Sequence, residues 1–150
     1  MARFLSESQH SLATVVLDRL IPPQGDMPGA GELGTADYLD GIAAGSAGIA
    51  RLFFGGLQDI EIAAARLGSG FEKLSGDQQD EVLRGVEAHS PEFFDLLVRH
   101  TYNGYYINPK VVELLGLDPR PPQPRGNHVE RGDLGSLQVV VERGQVYRDA

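Results

Sequence analysis

The segment Phe71–Pro109, FEKLSGDQQDEVLRGVEAHSPEFFDLLVRHTYNGYYINP, decides the fold class. Ser75 followed by Gln78 has capping-box form, and Ser90-Pro91 places an N-cap before a proline at the first helical position. After these signals Phe93, Leu96 and Leu97 recur three or four residues apart, the spacing of a helix with one buried face. His100 or Thr101 and then Gly104 with Tyr105 continue that face. Two helices are therefore expected here, and the acidic run Asp77, Gln78, Gln79, Asp80, Glu81 reads as a solvated first turn suited to the helix dipole.

The same signals extend outward. Ser6–Gln9 (SESQ) is a second capping box, and Leu12, Val15, Val16, Arg19 and Leu20 follow at helical spacing until Pro22-Pro23 forbids continuation. Residues 22–34, PPQGDMPGAGELG, read as a surface loop, with Thr35 as the cap of a helix whose Tyr38, Leu39 and Ile42 face inward. From Gly48 to Leu67 the apolar residues Ile49, Leu52, Phe53, Leu57, Ile60 and Ala64 mark a long helix, open to bending at Gly55-Gly56. Asn108-Pro109 starts a short helix that Gly116 should end. Beyond it Pro119, Pro121, Pro122 and Pro124 predict an extended, polyproline-like segment. The last run, LGSLQVVVERGQVYRDA, reads as a short helix or an edge strand. The expectation is an all-α fold: an irregular bundle of about five to six helices over 1–116, with an extended, proline-rich C-terminal arm over 117–150 that binds a partner.

Charge and composition exclude several function classes. The 150 residues carry 13 basic and 21 acidic side chains, a net charge of -8 without a basic cluster, which disfavours nucleic acid and anionic membrane surfaces as partners. No apolar run reaches the roughly 18 residues of a spanning helix, so no direct membrane insertion is expected. Cysteine is absent, and with it disulfides and thiolate metal sites. The four histidines, His10, His89, His100 and His128, fall in no paired ligand spacing. Gly29–Gly34 spells G-x-G-x-x-G but follows no strand, so it reads as a turn-rich connector rather than a dinucleotide loop. Neither GSAGIA nor GSGFE supplies the strand-to-helix elbow of a nucleophilic serine.

Tyr102, Tyr105 and Tyr106 fit either local packing or an intermolecular contact, since tyrosine combines apolar area with a hydroxyl that needs a partner. The tail after the prolines, with Leu134, Leu137, Val139, Val141 and Tyr147, is too apolar for a solvating linker and reads as an arm that docks.

Four segments in order, LIPPQGDMPGAGELGTADYLD, FEKLSGDQQDEVL, FFDLLVRHTYNGYYINP and GLDPRPPQPRG, resemble the gluconate 2-dehydrogenase subunit 3 family, over about Leu12 to Gly126. The resemblance implies a non-catalytic, mostly helical small subunit that binds an FAD-dependent large subunit of the glucose–methanol–choline class and assists its maturation. In that family FAD lies in the large subunit, which oxidises a sugar or polyol, and a cytochrome c subunit receives electrons in some members. No cofactor or metal is then expected on this chain. The partner-facing residues implied by the matched segments are Tyr102, Gly104, Tyr105, Tyr106, Pro109, Pro121, Pro122, Pro124 and Gly126, and His128 is placed with them. No twin-arginine leader is visible, so the expected location is cytoplasmic for the chain as written and periplasmic where a leader has been removed. A competing reading is a small stand-alone enzyme using His100 or His128 with a carboxylate as acid and base. A third is an adaptor that offers RPPQPR to an aromatic groove.

Overall fold

The computed structural model describes residues 4–120, 126 and 132–145. The described residues form seven α-helices and two 3-10 turns with no strand, an all-α fold. Contacts divide the chain into two units, Met1–Pro119 and Arg120–Ala150.

The first unit holds α1 (Glu7–Leu20), α2 (Thr35–Gly45), α3 (Ala47–Arg66), α4 (Gly76–His89), α5 (Pro91–Tyr106) and α6 (Pro109–Leu114), with a 3-10 turn at Phe71–Lys73 before α4. Helix starts follow the local chemistry. Ser6 and Gln9 cap α1 reciprocally, as do Ser75 and Gln78 for α4, and the Asn108 side chain accepts from the Lys110 amide at the head of α6. At α2 the expected Thr35 cap is corrected: Gly34 occupies the cap position at φ 73°, and Thr35 is the first helical residue with its hydroxyl buried and unbonded. Thr35 turns inward because its methyl packs over Gly104 of α5. Ser90 does sit at the cap of α5, but its hydroxyl donates 2.7 Å to Asp59 Oδ2 on α3 and ties the two helices instead.

α3 is continuous through Gly55-Gly56 and packs against α2, α4 and α5. Its centre is the edge-to-face pair Phe53–Phe93, with ring centroids 6.0 Å apart. Gly56 permits that approach, because a Cβ there would overlap the Phe93 ring. Gly104 does the same between α5 and α2, where a Cβ would lie 2.7 Å from the Thr35 methyl and 2.8 Å from the Tyr38 ring. Leu12, Val16, Leu17, Leu39, Leu57, Ile60, Phe71, Leu83 and Val111 complete one core.

Three carboxylates hold the bundle's connections. Asp40 accepts from the Leu5 amide at 2.6 Å, fixing the chain entering α1 onto α2. Asp18 accepts from the amides of Gly31 and Glu32, and Gly29 and Gly31 lie so close to that carboxylate that side chains there would collide with it. The glycine-rich stretch is thus a connector wrapped on an aspartate. Asp80 binds Arg19 through both oxygens, at 2.5 and 2.9 Å, with Arg84 at 3.7 Å; one member of the acidic run is therefore an interhelical ion pair, not a solvated charge. Among the described residues of the second unit a 3-10 turn, Gly135–Leu137, leads into α7 (Gln138–Arg143), so the last run is helical in its described part.

Candidate functional site

Helix α5 ends in a residue order that sends side chains to opposite faces. Leu97, Thr101, Gly104 and Tyr105 turn inward, and the Thr101 hydroxyl donates back to the Leu97 carbonyl at 2.7 Å. Tyr105 is 3% exposed, and its hydroxyl donates 2.9 Å to the carbonyl oxygen of Pro28 in the connector. Burial, with Tyr106 adjacent, pushes its phenol above the ordinary value of 10.0. Tyr102 and Tyr106, four residues apart, lie on the outer face at 48% and 49% exposure. Their rings are nearly parallel, 10° between planes with centroids 6.0 Å apart, and Tyr106 meets Tyr105 edge-on at 5.2 Å.

The outer tyrosines do not stand alone. Ile107 follows them, and Leu114, Leu115 and Leu117 are exposed at and beyond the end of α6. Gly116, at φ 76°, stops that helix and lets the Leu117 amide bond back to the Val112 carbonyl. Large exposed apolar side chains near the end of α5 and around α6 are surface that another protein can cover favourably, because leaving them in water is unfavourable by about 25 cal/mol per Å².

Among the residues named from the sequence for a partner, Tyr102, Tyr106 and Pro109 are exposed in the first unit. Gly104 and Tyr105, named with them, lie in the interior, where their neighbours Thr35, Tyr38 and Pro28 belong to the same bundle. Gly126 is exposed, and Pro121, Pro122, Pro124 and His128 lie outside the described residues. Sequence reading did not single out Ile107, Leu114, Leu115 or Leu117; the signal of the three leucines was an apolar run continuing past the glycine that ends α6, and that of Ile107 its place directly after the tyrosines.

The Nδ1 of His100 is buried without a hydrogen bond, its ring lies 6.2 Å from that of Tyr38, and burial, aided by Arg99, holds it below the usual 6.5. A cleft of about 390 Å³ between α3 and the α4–α5 junction is lined by Arg51, Gly55, Asp59, His89, Glu92 and Phe93. Its serine, Ser90, is already bonded to Asp59. Among the described residues no three histidine, aspartate or glutamate side chains gather as a metal site, and no helix is long and apolar enough to cross a membrane.

Neither a curated protein nor a solved structure matches the chain. The family model described as gluconate 2-dehydrogenase subunit 3 matches residues 7–117, which takes in α1 to α6 and stops before the proline-rich segment. The chain, a helical bundle with an uncovered apolar corner, belongs to the gluconate 2-dehydrogenase subunit 3 family, and is by that membership a subunit of a multi-subunit dehydrogenase.

Proposed function

We propose that this chain is the non-catalytic small subunit of an FAD-dependent oxidoreductase of the glucose–methanol–choline class, and that it binds and stabilises the large catalytic subunit as that subunit takes up its flavin. The observation that supports this reading is the apolar corner formed by Tyr102, Tyr106, Ile107, Leu114, Leu115 and Leu117. Two stacked phenol rings offer broad, rigid area with hydroxyls left for the partner's polar rim, the composition favoured at protein interfaces. FAD and the oxidation of a sugar or polyol hydroxyl belong to the large subunit, and a cytochrome subunit is the onward electron acceptor where one is present.

The test is co-expression with the large subunit of the same complex, followed by purification through a tag on this chain. A yellow complex that survives gel filtration is the expected result, with less flavin per large subunit when this chain is omitted. A large subunit that folds, fills with flavin and ignores this chain would overturn the reading.

A further inference from the structure

Three cavities line up along the seam between α3 and α4. The cleft of about 390 Å³ described above shares Asp59 and His89 with a second of about 380 Å³, and the second shares Ala63, Arg66 and Gly85 with a third of about 200 Å³. Together they make one groove. Its α3 wall is a single helical face that runs from Arg51 through Gly55, Asp59 and Ile62 to Leu67, and its α4 wall runs the opposite way, from His89 back to Glu81. Sixteen steps of α3 at about 1.5 Å each make the groove about 24 Å long. Gly55 and Gly85 leave it open, since nothing lies within 4 Å of where a Cβ would stand at either. Ile62 and Leu67 add exposed apolar area.

Shape and charge both describe an occupant. Two antiparallel helical walls receive a third helix of about sixteen residues, and the two glycines let its backbone come within the 8–10 Å between axes that is usual for packed helices. The edges carry Asp59, Glu81 and Glu92 against Arg51 and Arg66, on a chain of net charge -8, which favours an approaching face with basic residues. A second copy would bring a like charge instead. Membership of the family makes this chain one subunit of a multi-subunit dehydrogenase, so other subunits are present to supply such a helix. We infer that the α3–α4 groove is a second docking surface and receives a basic-rimmed helix from another subunit of the same dehydrogenase. It is separate from the tyrosine corner, because Phe93 at the start of α5 lines the groove while Tyr102 and Tyr106 stand at the other end of that helix. The inference needs the family membership alone, and not the flavin chemistry proposed above.

The test fills the groove. Full-length chain carrying Gly55→Leu and Gly85→Leu is co-expressed with an equal amount of unaltered chain and with the other subunits of the complex. The assembly is purified through a tag on another subunit, and the share of each form is read by mass spectrometry. Leucine favours a helix over glycine and its Cβ meets nothing at either position, so urea unfolding should show a fold at least as stable as the original. The variant's share should fall by about tenfold or more, as it does when a central contact is lost. Glu81→Lys with Glu92→Lys leaves the groove open and should lower the share through like charge with the basic rim; this pair carries the test alone if the leucines disturb the fold. A share equal to that of the unaltered chain, for either folded variant, overturns the inference and leaves the proposed function standing. Absence of the unaltered chain from the assembly overturns both. Dimers of this chain alone that the leucines disperse would identify a second copy as the occupant and overturn the inference.

Discussion

The hydroxyl of Tyr105 reaches the carbonyl oxygen of Pro28 across 77 residues of sequence, a buried hydrogen bond of 2.9 Å that fastens the α1–α2 connector to the end of α5. Tyr105→Phe keeps the ring and strands the carbonyl. An unsatisfied buried acceptor costs about 1–3 kcal/mol, and urea unfolding should show a loss in that range. A midpoint unchanged within error would mean that the connector is held without this bond.

The adjacent glycines of α3 should respond oppositely to alanine. At Gly56 a Cβ meets the Phe93 ring, so Gly56→Ala forces the rings of the core apart and should destabilise by about 1–3 kcal/mol. At Gly55 nothing lies within 4 Å, and Gly55→Ala should stabilise by about 0.5–1 kcal/mol through backbone entropy alone. Paired thermal melts check the contrast; equal effects at both sites would refute the packing described for α3 and α5.

Stability toward acid should fall in two steps. Burial, with Arg99 adding, holds His100 below 6.5 in the folded chain, so the unfolded chain takes up the proton first; the contribution is whole above 6.5 and fades as pH drops below it. Hydrogen bonding to Arg19 holds Asp80 below 3.8 against the opposing effect of burial, so its contribution is present above 3.8 and is lost as pH falls through the lower folded value. The second step is small, because the pair is about one-third exposed and salt screens it. His100→Gln should flatten the upper step and Asp80→Asn the lower, in denaturation midpoints followed against pH. An upper step that persists in His100→Gln would assign it to another group.

Tyr102 and Tyr106 should matter little to folding. Replacing both by serine is expected to leave the urea midpoint of the isolated chain within about 0.5 kcal/mol while reducing its binding of an apolar fluorescent dye and its tendency to aggregate. Unchanged dye binding would show that the tyrosine face is not the dominant exposed apolar surface.

Much of this fold was legible because its helix starts are written locally. Ser6 with Gln9, Ser75 with Gln78, and Asn108 with Pro109 each declare a boundary within four residues. The faces of α5 were legible as well: Thr101 and Tyr105 share one register, Tyr102 and Tyr106 another. The inward register of Tyr105 came from that spacing, whereas the resemblance named all three tyrosines together as facing a partner. What could not be read joins residues far apart. Arg19 and Asp80 are 61 positions distant, Leu5 and Asp40 are 35, and periodicity names the buried face of a helix without naming what covers it. The cap at α2 failed for the same reason, since Thr35 faces inward to meet Gly104 of a helix some seventy positions on.

One step along the chain separates a side chain committed to the interior from one turned to solvent, and the two touch, Tyr105 edge-on to Tyr106 at 5.2 Å. Any protein that settles on Tyr106 therefore presses on the ring that holds Pro28. The connector should become quieter on assembly, its amides exchanging with solvent more slowly, although it lies outside the docked corner. A genetic screen for failed assembly would then return lesions around Pro28 and Asp18, residues outside that corner, alongside those in the corner itself.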